Sequence, residues 1–217
     1  MPASPTTPHR PGNRGRGRPP VSGQALNTKR GGVLAAAAVL MGDRSSKDLT
    51  VEQLIQAAGT SRPTFYRWFP GGLQQVMELL LVEANTDLVK RIMAVIQLDI
   101  PVEERVAQGI ASYFDWAREI GPLAKAIYRE AFDPASSARR YREETLAGVQ
   151  QLLLQEARQM GLKGVTPLMA ETLVGWIESA MITLMQHYPV SEEQAAEQAR
   201  FTSDMLLAMV AVMRRTS

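Results

Sequence analysis

The chain has 217 residues, 45% of them hydrophobic, and a net charge of +2, enough apolar material for a real core rather than a disordered tail. It has no cysteine, which excludes disulfides and thiolate metal sites, and no run approaches the ~20 apolar residues of a membrane span, so a soluble cytoplasmic protein is expected. The charge is uneven: residues 1–70 hold ten basic and three acidic side chains, residues 71–217 fourteen and nineteen, which places an anionic partner, nucleic acid foremost, at the N-terminal end.

Residues 1–26 are rich in Pro, Gly, Arg, Ser and Thr and too poor in apolar side chains to offset their ordering entropy; they read as a disordered basic arm. A first helix is predicted over 28–42, with Val33, Leu34, Ala37, Leu40 and Met41 on one stripe. The apolar run at 33–41 reads as that helix's buried face, not as a signal sequence. Thr50-Val51-Glu52-Gln53 is a capping box opening a second helix through Ala58, which Gly59 stops. Ser61 caps a third helix over 62–68, with Pro63 tolerated in its first turn, and Pro70-Gly71-Gly72 ends it.

Six further helices are expected. One spans about 73–98, one runs from Pro101 to Glu119, and a short one lies between Gly121-Pro122 and Phe132. Asp133-Pro134 then opens a long helix closing at Gly161, Thr166-Pro167 opens one finishing before Pro189, and the capping box Ser191-Glu192-Glu193-Gln194 opens the last. The fold class is therefore all-α with about nine helices: an arm at 1–26, a three-helix DNA-binding domain at 27–72 and a larger helical domain at 73–217.

Residues 50–69 form a helix, a Gly-centred turn and a second short helix, the arrangement that lets a second helix enter a major groove while the first braces it. Leu54, Ala58, Phe65 and Phe69 fall where these helices pack, which leaves Arg62, Thr64, Tyr66 and Arg67 outward. Arg can bond guanine bidentately, Thr can offer a methyl to thymine, and Tyr can reach a phosphate. The run Val33-Leu34, Ala36-Ala37, Leu40-Met41, Thr50, Leu54, Ala58-Gly59, Ser61, Pro63-Thr64-Phe65-Tyr66 and Phe69 resembles the TetR family of repressors over about residues 28–76. The resemblance implies DNA contacts from Thr50, Ser61, Arg62, Thr64, Tyr66 and Arg67. It departs from the family where Ser45 replaces a usual Gly, Ile55 a small residue, and Gly72 a Lys that often contacts phosphate. In the arm, Arg14-Gly15-Arg16-Gly17-Arg18-Pro19-Pro20 resembles the core of an AT-hook, with Arg16 and Arg18 suited to a narrow minor groove. A solubilising tail that touches phosphates without selectivity is the alternative.

The same resemblance implies an inducer pocket in the middle helices and a homodimer through the last two. Tyr113, Trp116, Tyr128 and Trp176 are the candidate ligand-binding residues, with Arg118 and Glu119 as polar anchors; core packing is the competing explanation for each aromatic. The penultimate helix is apolar almost all round, with Leu168, Leu173, Ile177, Met181 and Leu184 beside small Gly175, Ser179, Ala180 and Thr183; the last adds Ala195, Ala199, Met205, Leu206, Met209 and Val212. Glu171 and Glu178 share a face and read as a solvated or interface pair. No catalytic motif is found, His9 and His187 have no catalytic company, and neither metal nor cofactor is expected. The expected function is a sequence-specific regulator on a palindromic operator, acting as a repressor that a small molecule releases. An architectural A·T-rich DNA binder and a helical ligand-binding module without operator binding are the alternatives.

Overall fold

Apolar residues recurring every three or four positions, punctuated by Pro, Gly and hydroxyl caps, fold into helices, and no strand occurs among the described residues. In this computed structural model residues 23–43, 48–134, 136–162 and 164–216 are described. The helices are α1 (Gly23–Asp43), α2 (Val51–Ala57), α3 (Arg62–Trp68), α4 (Gly72–Ile96) and α5 (Val102–Ile120), then α6 (Pro122–Ala131), α7 (Ser137–Gln159), α8 (Pro167–Gln186) and α9 (Glu192–Thr216).

Two boundaries differ from expectation. α1 starts at Gly23, because no breaker separates Gly23 from the predicted start. α7 starts at Ser137 rather than at Asp133-Pro134. There the chain first makes a turn, closed by Ser136 N–H donating to the Asp133 carbonyl at 3.0 Å. The Ser136 hydroxyl then caps the helix by accepting from Ala138 N–H at 3.3 Å.

α1, α2 and α3 share one apolar centre. Val33, Ala37, Met41, Leu54, Phe65 and Phe69 are all buried, and the Phe65 and Phe69 rings lie 5.5 Å apart. α6 anchors this head to the rest of the molecule: a Cβ added to Gly42 of α1 would stand 2.2 Å from Pro122 Cβ. Only a glycine admits so close an approach, and Arg129 of α6 donates to the carbonyl of Met41 beside it.

α5 runs through the body, burying Ile110, Phe114, Trp116 and Ala117 against its neighbours. α9 lies along it with Ala195, Ala199, Thr202, Ser203 and Leu206 inward, small side chains that let the two helices approach. The hydroxyls of Thr202 and Ser203 donate to the carbonyls of Gln198 and Ala199, both at 2.8 Å, so neither is buried unpaired. α8 corrects one expectation: it has 20 residues, and an 18-residue stretch of it, at mean hydropathy 1.3, is long and apolar enough to cross a membrane. One face of α8 instead packs into the core through Ala170, Val174, Ile177, Met181 and Met185, and its Glu178 is ion-paired inside the bundle.

Candidate nucleic-acid interface and buried cavity

The head presents α3 through two local caps. Thr50 and Gln53 form the reciprocal box at the start of α2, with Thr50 N–H to Gln53 Oε1 at 3.0 Å and Gln53 N–H to Thr50 Oγ1 at 3.3 Å. Gly59, at φ +59°, turns the chain in the left-handed region. Ser61 then caps α3, accepting from Thr64 N–H at 3.4 Å and donating to Thr64 Oγ1 at 2.9 Å. With Phe65 and Phe69 inward, Arg62, Tyr66 and Arg67 are exposed and Thr64 is half-buried. Thr50 and Ser61 are exposed as well, so the six predicted head residues share one surface region around the helix-turn-helix.

Two features of this surface escaped the sequence reading. Arg62 is ion-paired with Glu52 at 2.5 Å, and its guanidinium also lies 5.7 Å from the centre of the Tyr66 ring. Gly72 takes φ +66°, a conformation that strains any side-chain-bearing residue, which accounts for a glycine there. Ile55 is half-buried against the head's core. Arg16, Arg18 and Ser45 lie outside the described residues.

In the body, α4 to α9 line a cavity of about 180 Å³. Its wall is mostly aliphatic, with Leu88 and Ile92 from α4, Ile110 from α5, Leu146 and Val149 from α7, and Ile177 from α8. A smaller void of about 40 Å³, also apolar, shares Val106, Leu153, Glu156 and Leu206 with it.

The cavity's polar groups are few and mostly paired. Tyr113 and Tyr128 join hydroxyl to hydroxyl, and burial pushes the ionisation of both well above the usual phenol range, so they remain neutral. Arg142 grips Glu178 through Nε at 2.6 Å and also through Nη2, with the Glu178 side chain only 6% exposed. This bond, ahead of the opposing cost of burial, holds the guanidinium above its ordinary range. Arg105 Nη2 meets Glu156 at 2.9 Å, and Thr145 donates to Asn85 Oδ1 at 2.6 Å.

Of the four predicted ligand-binding residues, Tyr113 and Tyr128 line this cavity and Trp116 and Trp176 do not. Trp116 is 2% exposed; it stacks on Tyr113 at 5.9 Å and donates its indole N–H to the Ala84 carbonyl at 3.1 Å, so it backs the wall. Trp176 is half-buried on the main core. Arg118 and Glu119 pair with Asp115 and Arg91 instead of reaching the cavity. Glu171 is exposed, whereas Glu178 is buried and paired, so they do not act together.

Comparison with known proteins joins these two regions. Residues 33–71 match the profile of the bacterial regulatory proteins of the tetR family, a stretch that begins in α1 and ends just after α3. Residues 33–71 thus form a helix-turn-helix of the TetR type. Over 84 residues it is 34% identical to the HTH-type transcriptional regulator EthR of Mycobacterium tuberculosis H37Rv, a match spanning 38% of this chain and 39% of that regulator. The whole architecture resembles the TetR-family regulator PfmR of Thermus thermophilus, with TM-score 0.67 and 17% identity over 81% of this chain and 93% of that one. It likewise resembles FadR of Bacillus subtilis, solved in complex with stearoyl-CoA, with TM-score 0.67 and 16% identity over 81% and 96%. The TetR fold, with its N-terminal helix-turn-helix and helical remainder, is thus present across the described residues.

The residues that sequence reasoning missed, Asn85, Arg105, Arg142, Thr145 and Glu178, come from four helices and meet only in the folded body. One signal was available: Glu171 and Glu178 are the only ionisable side chains on α8, and a lone carboxylate on an apolar face calls for a buried partner.

Proposed function

We propose that the protein is a DNA-binding transcriptional regulator, a homodimer that represses from a palindromic operator and is released when a small apolar molecule fills the body cavity. The observation that carries the reading is the exposure of Arg62, Tyr66 and Arg67 on a capped α3, inside the segment that matches the TetR helix-turn-helix. Arg62 and Arg67 supply base-edge or phosphate donors, Thr64 a methyl, Tyr66 a phosphate contact, and Thr50 and Ser61 bracket the backbone at the helix starts. Arg16 and Arg18 of the arm extend the contact into the adjacent minor groove.

The path from cavity to head supports regulation. Tyr128 of α6 lines the cavity, and the next residue, Arg129, bonds the end of α1. A ligand that displaces α6 changes the support of the reading head, and so shifts the dimer towards a spacing that no longer fits two major grooves. The resemblance to a regulator solved with stearoyl-CoA supports a ligand in this body.

The deciding experiment titrates the protein against DNA upstream of its own gene and against scrambled DNA of equal composition, at several salt concentrations. Tight binding to the upstream fragment at two protomers per site, with a steep salt slope, is expected. Equal binding to both fragments would replace this reading with an architectural one.

A further inference from the structure

We propose that the cavity ligand is an electrically neutral molecule with an apolar body and one hydrogen-bond-accepting oxygen, such as an ester, and that free carboxylates and acyl-CoA thioesters are excluded. This names the ligand class of the cavity in the proposed regulator and rests on that reading.

The charges decide the class. The cavity wall holds four ionisable residues of opposite sign, Arg105, Arg142, Glu156 and Glu178, apart from its tyrosines. Each Arg is already matched: Arg142 by the two-point grip on Glu178, Arg105 by Glu156. The wall is therefore neutral as a whole, and an entering carboxylate would give up hydration to meet two arginines that each already face a glutamate. A coenzyme A headgroup brings several negative charges to a wall whose two arginines are already paired.

The same inventory leaves hydrogen-bond donors over. Of the Tyr113 and Tyr128 hydroxyls, one donates to the other, and the acceptor's own hydrogen is left for a third partner. Burial keeps both phenols protonated, so they persist as donors at any ordinary pH. Asn85 accepts from Thr145 through its carbonyl oxygen, with its amide hydrogens left over. The Nε of Arg105 is buried without a partner. Spare donors in an aliphatic cavity whose carboxylates are occupied select an acceptor oxygen on an uncharged chain.

The test compares methyl decanoate, decanoate and decanoyl-CoA, since the first two differ in a methyl cap that removes the charge. Binding is read on the DNA-free protein from tryptophan fluorescence, to which Trp116, stacked on Tyr113 at the wall, contributes. Methyl decanoate is expected to bind at least ~10-fold more tightly than decanoate, as the cost of burying an unpaired charge implies. Equal or tighter binding of decanoate or decanoyl-CoA overturns the proposal, and so does binding of none of the three. Glu178→Gln, which releases Arg142 without changing the side chain's shape, is expected to raise decanoate affinity at least ~10-fold. Unchanged decanoate affinity in a Glu178→Gln protein of native near-ultraviolet circular dichroism overturns it as well. Because none of these readouts involves DNA, a failed operator titration would count against the regulator reading alone.

Discussion

At the exposed start of α3, Arg62 divides its guanidinium between the carboxylate of Glu52 and the ring face of Tyr66, so the arginine proposed to meet DNA is held in place beforehand. Both partners of the ion pair are more than 60% exposed, so the pair contributes little to stability. In the proposed complex with DNA its effect falls on recognition, since Glu52 brings a negative charge to the surface that would face phosphates. Glu52→Gln is expected to raise affinity for scrambled DNA and to steepen the logarithmic salt slope by about 0.9, the increment of one added phosphate contact. An unchanged slope in the same titration would put Glu52 away from the DNA. The buried tyrosine pair makes a second prediction. Folding raises the ionisation of Tyr113 and Tyr128 above the ordinary phenol range, so the folded state keeps protons that the unfolded state releases. Their contribution is whole below about pH 10 and declines as the pH rises beyond it. Urea midpoints measured across the range from neutral to strongly alkaline pH should fall at the alkaline end, and fall less steeply once both are changed to Phe.

Among the elements, α6 has the most demanding position, with Pro122 and Arg129 against the end of α1 and Tyr128 at the cavity wall. Gly42→Ala is expected to destabilise the protein by about 1–3 kcal/mol, the range for overpacking, because Pro122 and its backbone cannot yield the space that a Cβ needs. Urea unfolding measures this, and operator affinity should fall with it while affinity for a cavity ligand holds. The contacts around α6 also mark where sequence reading stops. The caps at Thr50, Ser61, Thr166 and Ser191 were legible because a cap is settled within four residues. Asp133-Pro134 carried the same local signature, yet the turn before Ser136 took its place, so even local signals compete. Trp116 and Tyr113, three apart on α5, share a helical face, but the Ala84 carbonyl of α4 drew the indole out of the cavity. The Arg142–Glu178 pair spans 36 residues, and no local pattern announces it.

For the molecule as a whole, what matters is what covers the outer faces of α8 and α9. On α9, Phe201, Met205, Ala208 and Val212 recur at helical spacing and all are exposed, Phe201 by 55% and Val212 by 53%. On α8 the exposed row is Leu168, Thr172, Gly175, Ser179 and Thr183, mostly small side chains that would let another helix come close. The sequence showed α8 as apolar all round; the structure divides it, turning Ile177 and Met181 inward and this smaller row outward. An apolar stripe on one helix beside a smooth row on the next suits a second copy of the same surface, packed about a two-fold axis as four helices. Gly175 gives the sharpest test, because a Cβ added there meets nothing within 4 Å inside the protomer. Gly175→Leu should therefore leave the protomer folded, and by helix propensity even slightly stabilised, while obstructing a partner helix. Phe201→Glu should act from the other helix by burying a charge in the interface. Sedimentation velocity is expected to show a dimer for the unaltered protein and a monomer for the double variant. The monomer should also lose most of its operator affinity, because one protomer reaches one half-site. A double variant that stays dimeric would move the interface to another face of the molecule. One that is monomeric yet binds the operator undiminished would separate dimerisation from DNA reading.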